Sequence, residues 1–67
     1  MSDSVVFDGV EVIAASDMAM WVSVRGKRVI VGRAQPLAGT TICWLGDRGR
    51  LVLPLWAVHE LGLSELV

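Results

Sequence analysis

The sequence predicts a mainly β protein, a small and strongly bent sheet or barrel of about five strands with one short C-terminal helix. Short runs rich in β-branched and aromatic residues recur along the chain. Glycine turns separate these runs. A single helix-like apolar stripe lies near the C-terminus. A chain of 67 residues is short enough for a single domain, residues 1–67.

The N-terminal half predicts a frayed start followed by strands. Three of residues 1–4, MSDS, are polar, which is typical of a frayed terminus. Two apolar runs then flank Asp8-Gly9, and Asp-Gly is a strong signal for a hairpin turn. Residues 10–15 form the second of these predicted strands. Residues 19–31 predict another hairpin, because Gly26 supplies the positive φ that a tight turn requires.

The C-terminal half predicts a crossing loop, two more strands and the helix. Pro36 and its flanking glycines indicate the loop. Residues 40–44 are strand-like, residues 45–49 form a turn, and residues 50–53 form a strand. Pro54 suits the first turn of a helix and Gly62 suits its C-cap, so the predicted helix spans residues 54–62.

The composition predicts self-association or a large partner interface, with a homodimer as the simplest form. The chain is 54% hydrophobic and contains three tryptophans, whereas a domain of this size buries only about 60% of its unfolded surface. A single cysteine excludes an intrachain disulfide, and a single histidine indicates neither a metal site nor a cofactor.

The sequence predicts a cytoplasmic protein with no membrane segment. The N-terminus is acidic where a secretory signal is basic. The longest apolar run, LVLPLWAV, is far shorter than the roughly 20 residues that span a bilayer.

The charges are unevenly distributed. All six basic residues lie between positions 25 and 50, together with a single acid, Asp47. Such asymmetry is typical of a binding face for phosphate or for an acidic protein. The alternative interpretation is that these charges lie at turns and strand edges and keep the strands soluble.

The three tryptophans also allow two interpretations. On an alternating strand, Trp21 points away from the face that Met20 and Val22 share. All three tryptophans fill the core in one interpretation. In the other they form a contact patch with nearby arginines, since these residue types dominate interface hot spots. The candidate partner-binding residues are Trp21, Arg25, Lys27, Arg28, Arg33, Trp44, Arg48 and Arg50.

No residue pattern indicates catalysis, so we expect a protein that is not an enzyme. His59-Glu60 begins like a zinc-protease motif, but Leu63 occupies the position of the second histidine. Cys43 has no general base near it in the sequence, and free cysteines are usually small buried hydrophobes.

The stretch from Gly46 to Leu63 resembles the core of AbrB-type swapped-hairpin DNA-binding domains. The resemblance rests on Asp47, Gly49-Arg50, the strand LVLP and the helix WAVHELGL. It implies a dimeric DNA-binding regulator in which Arg48 and Arg50 contact the DNA.

A longer stretch, residues 14–63, is similar to a group of small uncharacterised phage and prophage proteins. The shared features are a strand ending in Ala-x-Ser, an aromatic hairpin, a basic element, a glycine turn, a Pro-x-Trp element and a final Gly-Leu. Here these are Ala14–Ser16, residues 19–31, Arg33-Ala34-Gln35, Gly46–Gly49, Pro54-x-Trp56 and Gly62-Leu63. The similarity implies a phage-type accessory protein without known chemistry.

Three functions therefore remain open from the sequence. The first is a non-enzymatic module of a phage or mobile element that binds a macromolecular partner, in one form inhibiting a host defence complex as anti-CRISPR proteins do. The second is a dimeric AbrB-like DNA-binding regulator that uses Arg48 and Arg50 on the turn and Lys27 and Arg28 on the hairpin. The third is a small structural phage component held by apolar contacts.

Overall fold

The computed structural model describes residues 3–66 and is mainly β, as the sequence predicts. Its elements are β1 (Ser4–Ala15), β2 (Ala19–Val24), β3 (Lys27–Gly32), β4 (Arg48–Pro54), α1 (Leu55–Glu60) and a 3₁₀ turn (Ser64–Leu66). The four strands form one antiparallel sheet in the order β3-β2-β1-β4, which does not close into a barrel. Of the predicted frayed start, Met1 and Ser2 lie outside the described residues, and Ser4 already belongs to β1.

The β2–β3 hairpin occupies the stretch for which the sequence predicts a hairpin. Its turn has two residues, and both have positive φ: 50° at Arg25 and 83° at Gly26. This is the pattern of a type I′ turn, whose twist matches that of the flanking strands. The turn fixes the register, so that Val24 pairs with Lys27 and Trp21 pairs with Ile30.

The Asp8-Gly9 pair forms a β-bulge inside β1, so the predicted hairpin turn at this position is wrong. Residues on both sides of the bulge pair with β4, as Phe7 does with Leu51 and Val10 with Gly49. Gly9 adopts a φ of 66°, which glycine reaches without steric cost. The extra residue resets the alternation of the strand. Phe7 and Val10, three positions apart, therefore both face the core.

Residues 40–44 form an irregular segment beside β4, so the strand predicted there is also wrong. The N–H of Thr41 donates to the carbonyl of Arg50 at 2.9 Å. The hydroxyl oxygen of Thr41 accepts from the N–H of Arg50 at 2.9 Å, and that of Thr40 accepts from the N–H of Val52 at 3.0 Å. The threonine hydroxyls thus accept the hydrogen bonds that backbone carbonyls of a neighbouring strand would accept. The segment therefore satisfies N–H groups of β4 without forming a strand.

The predicted C-terminal helix is present, but α1 spans Leu55–Glu60 and not the whole of residues 54–62. Pro54 immediately precedes α1 with a φ of −67°. Gly62 follows the helix with a φ of 72°. The N–H of Gly62 donates to the carbonyl of His59, and the N–H of Leu63 donates to that of Val58. These two bonds make a Schellman motif, which brings Leu63 back into the core with no exposed surface.

The sheet has an inner face, which packs against α1, and an outer face formed by the alternate residues of each strand. On β2, Met20 and Val22 are buried on the inner face. The buried core comprises Phe7, Val10, Val12, Met20, Val22, Val24, Val31, Ile42, Leu51, Leu53, Ala57, Val58 and Leu63. No helix between residues 3 and 66 has the length and apolarity that crossing a membrane requires.

Candidate partner-binding surface

Three large apolar side chains are neighbours on the outer face. Trp21 pairs in register with Ile30, and Ile13 lies at a second bulge of β1 where Ala14 pairs with Trp21. The exposed fractions are 37% for Trp21, 53% for Ile30 and 39% for Ile13. Arg28, two residues before Ile30, shares their face. We call Ile13, Trp21, Arg28 and Ile30 the outer-face patch.

The outer-face patch lines an open groove of about 550 Å³. Val29, Glu60 and Leu61 complete its lining, so the groove extends from the outer face, past β3, to the end of α1. Arg28 and Glu60 bring opposite charges to a lining that is otherwise mainly apolar. A surface of this kind is suited to an apolar partner segment with charges of both signs.

The alternation of β2 explains why Trp21 is exposed. Met20 and Val22 retain 2% and 0% of their surface, whereas Trp21 points the other way, as the sequence predicts. Trp44 and Trp56 are 55% and 59% exposed. The interpretation that all three tryptophans fill the core is therefore wrong.

Arg48 and Arg50 lie on the outer face of β4. Arg48 is the register partner of Glu11 on β1. Arg50 Nε lies 3.7 Å from Asp8 Oδ1, and both side chains are largely exposed. An exposed pair at this distance contributes little to stability, so its arginine stays available to a partner.

Arg25 and Lys27 contact the C-terminal segment of their own chain. Arg25 Nη1 donates to the carbonyl of Leu66 at 3.1 Å. Lys27 Nζ donates to the carbonyl of Gly62 and lies 3.1 Å from Glu65 Oε1. These contacts, which we call the C-terminal latch, place a cation at the end of α1, where the helix dipole favours positive charge. They engage two of the predicted partner-binding residues inside the chain.

Arg33 and Trp44 form a second intramolecular group. Arg33 Nε and Nη2 donate to the carbonyl of Ser16 at 3.1 and 2.9 Å. Arg33 Nη1 donates to the carbonyl of Cys43. The guanidinium carbon lies 4.3 Å from the centroid of the Trp44 ring, which is a cation–π contact. We call this group the arginine clamp, because it joins the β1–β2 turn to the segment before β4.

Asp47 holds the backbone that presents Trp44. Its Oδ2 accepts hydrogen bonds from the N–H of Cys43 at 2.8 Å and of Trp44 at 2.9 Å. These bonds, from Trp44 first and from Cys43 second, lower the pKa of the Asp47 carboxyl below its usual value. The charged carboxylate therefore stabilises the turn above the pH at which it protonates.

The cysteine and the histidine, the remaining reactive side chains, contact other residues of the chain. Cys43 is exposed, so the prediction of a buried cysteine is wrong; its Sγ accepts from Arg33 Nη1 at 3.4 Å. His59 Nδ1 lies 2.7 Å from Ser64 Oγ, and both residues are exposed at the end of α1. Within residues 3–66, no three His, Cys, Asp or Glu side chains gather as potential metal ligands.

Sequence reasoning missed Ile13 and Ile30 as members of the surface. For Ile30 a signal exists, because residues equally distant from a two-residue turn face each other across a hairpin, which places Ile30 opposite Trp21. Ile13 has no such signal, since its position depends on the bulge between Val12 and Ala14.

Comparison with protein-family models, with curated proteins and with solved structures finds no significant match to this chain.

Proposed function

We propose that the chain is a non-enzymatic binding module that recognises a macromolecular partner through its outer face. The observation that carries the proposal is the outer-face patch, in which two exposed isoleucines, Ile13 and Ile30, flank Trp21 on the face that Arg28 shares. Tryptophan and arginine dominate the binding energy of protein interfaces when they lie at the centre of an apolar contact.

The charges of the outer face indicate the kind of partner. Three arginines, Arg28, Arg48 and Arg50, share this face with two acids, Asp8 and Glu11. The surplus is small, which favours an apolar protein surface with acidic groups at its margin over a strongly charged polymer. Arg25, Lys27 and Arg33 contribute less to binding, because the C-terminal latch and the arginine clamp already engage them.

The concrete form that we propose is an accessory protein of a phage or mobile element that acts in the bacterial cytoplasm. It would occupy a surface of a host defence complex and block it, as anti-CRISPR proteins do. The similarity of residues 14–63 to small phage proteins and the small size of the chain support this form, and both are arguments by analogy.

A defence assay with matched tryptophan variants tests the proposal. Host cells with an active defence complex would receive a targeted plasmid with or without this protein, and binding to the purified complex would be measured by calorimetry. We expect the protein to restore transformation. Trp21→Ala should weaken binding by about 30-fold, the loss expected for a hot-spot residue.

Trp56→Ala is the matched control, because Trp56 is equally a tryptophan, is 59% exposed and lies on α1 away from the outer-face patch. It should retain full activity. Equal activity of the Trp21→Ala and wild-type proteins would contradict the proposal. Loss of assembly in Trp56→Ala alone would instead favour a structural phage component.

A DNA-binding regulator is the second candidate, and the exposure of Arg48 and Arg50 on one face of β4 favours it. Binding to a DNA duplex should then weaken steeply with salt, because phosphate contacts release counterions. The double variant Arg48→Ala/Arg50→Ala should lose this binding, whereas Trp21→Ala should keep it. Absence of duplex binding at low salt would exclude this candidate.

A further inference from the structure

The two edges of the sheet differ in their hydrogen bonding. The edge at β4 is covered, since the N–H of Leu37 donates to the carbonyl of Val52 at 2.8 Å and Thr41 bonds Arg50 in both directions. Covering an edge in this way prevents it from pairing with another strand. Among residues 3–66, no backbone group bonds the middle of the edge at β3 in this way.

The open part of the β3 edge is three residues long. Because Val24 and Lys27 close a two-residue turn as a hydrogen-bonded pair, the backbone groups of Arg28 and Ile30 point away from β2. Within residues 3–66 these groups have no other partner. Beyond them the edge is closed by Gln35, whose Oε1 accepts from the N–H of Gly32 at 2.8 Å and whose N–H donates to the Gly32 carbonyl at 3.0 Å.

We propose that this edge pairs with the β3 edge of a second copy of the chain, forming a two-fold symmetric antiparallel dimer centred on Val29. In this register Arg28 lies opposite the partner's Ile30, and Ile30 lies opposite the partner's Arg28. Each of these two pairs exchanges two backbone hydrogen bonds, so the four bonds satisfy every free group of both edges. The two sheets join into one.

A second copy of the chain suits the open part of the β3 edge, because its unpaired backbone groups are arranged symmetrically about Val29. The groove beside β3 carries apolar surface on both faces of the sheet, from Ile30 on the outer face and from half-buried Val29 and Leu61 on the inner side. Val29 would meet the partner's Val29 across the axis. The two Arg28 side chains are not directly opposite each other, which avoids a like-charge pair. Burial of this surface compensates for the limited core of so short a chain.

The oligomeric state and its sensitivity to proline at position 30 give the first test. Light scattering with size exclusion, up to millimolar concentration, should show a dimer for the wild-type chain and a monomer for Ile30→Pro. The N–H of Ile30 points away from β2, so proline removes no bond within the chain, and unchanged circular dichroism would confirm the fold. Trp21→Ala should remain dimeric, because Trp21 lies one strand inside the edge.

Disulfide trapping tests the register without relying on proline. In a Cys43→Ser background, Val29→Cys should form a covalent dimer on mild oxidation, because Cα atoms of directly opposite residues in a non-hydrogen-bonded pair lie about 4.5 Å apart. Arg28→Cys is the matched control one residue away and should remain monomeric on denaturing gels. Its cysteine faces the partner's Ile30 and not a second cysteine.

Three results would overturn the proposal: a wild-type chain that stays monomeric at millimolar concentration, an Ile30→Pro variant that stays dimeric, or Arg28→Cys chains that cross-link as fast as Val29→Cys chains. A monomeric chain that loses a foreign protein partner on Ile30→Pro substitution would also reject the dimer, because the binding role of Ile30 would then belong to the outer-face patch. Dimerisation without any effect on host defence would leave the dimer supported and reject the proposed function.

Discussion

Two tryptophan–arginine groups of this protein look alike in the sequence but differ in the structure. In the arginine clamp, Arg33 donates to the carbonyls of Ser16 and Cys43 and stacks on Trp44. In the outer-face patch, Arg28 and Trp21 line one groove, and Arg28 makes no hydrogen bond within residues 3–66.

The role of an arginine depends more on whether its N–H groups are already hydrogen-bonded within the chain than on which residues lie beside it. A guanidinium whose N–H groups already bond backbone carbonyls stabilises the fold, and a partner would have to displace those bonds. A guanidinium in contact with solvent loses only hydration when a partner arrives. The clamp is accordingly structural, whereas the patch presents its guanidinium to solvent, as the proposed binding role requires.

Removing the guanidinium of each group should give the largest contrast in stability. Arg33→Ala should lower the free energy of unfolding by about 2 kcal/mol, because it leaves bonds between a charged group and two carbonyls unmade. Arg28→Ala should change it by less than about 0.5 kcal/mol, as surface substitutions usually do. Urea denaturation measures both values. Equal losses for the two variants would remove the distinction between clamp and patch.

A glycine substitution tests how closely residues 40–44, which include Cys43 and Trp44 of the arginine clamp, pack against β4. A Cβ at Gly49 would clash with Thr41 Oγ1, which itself accepts the N–H of Arg50. Gly49→Ala should therefore cost about 1.5 kcal/mol through overpacking or loss of that bond. Gly32→Ala is the control, because its Cβ would meet Gln35 Oε1 at an ordinary 3.6 Å. A Gly49→Ala variant as stable as the control would show that residues 40–44 can shift away from β4 without loss of stability.

A double-mutant cycle measures the stacking contact by itself. The coupling free energy between Arg33 and Trp44 should be about 0.7 kcal/mol, the value expected for an exposed cation–π contact. The corresponding cycle for Arg28 and Trp21 should give a coupling close to zero. Coupling of equal size in the two cycles would mean that Arg28 also stacks on its tryptophan.

The smallest effect expected is the pH dependence that Asp47 gives to the clamp. Its folded pKa is lowered by the N–H groups of Trp44 and Cys43. Its stabilising contribution is therefore complete above the pKa of an unfolded aspartate and is lost as the pH falls through the lower folded pKa. The difference in Tm between wild type and Asp47→Asn should be constant near neutral pH and shrink in acid.

Asp17→Asn, which removes the same charge from an exposed turn, is the matched control for Asp47→Asn. Thermal unfolding followed by circular dichroism across the acid range supplies both curves. A Tm difference for Asp47→Asn that persists unchanged into acid would contradict a role for the charged carboxylate.

The sequence predicted correctly those elements that depend only on residues close together in the chain. The hairpin around Gly26 and the helix between Pro54 and Gly62 follow from residues next to one another in the sequence. The bulge at Asp8-Gly9 did not follow, because it depends on which strand lies beside β1. The one available hint was that Phe7 and Val10 cannot both face the core of a regular strand.

The role of the candidate surface was harder to predict for the same reason. The alternation of β2 predicted the exposure of Trp21. The bonds that engage Arg33 and Lys27 join residues up to 38 positions apart, as between Lys27 and Glu65, and no local pattern indicates them. The threonine hydroxyls that turn residues 40–44 away from strand structure also act on a distant partner, β4.

The central position of β1 also determines how the chain reaches this structure. The first strand pairs with β2, its neighbour in sequence, and with β4, the last strand. The second pairing closes a long stretch of chain before any of its contacts form, and such non-local pairing slows folding. We therefore expect the β2–β3 hairpin to form early and the β1–β4 ladder to limit the rate, so that most of the folding barrier is the entropy of bringing the two ends of the chain together.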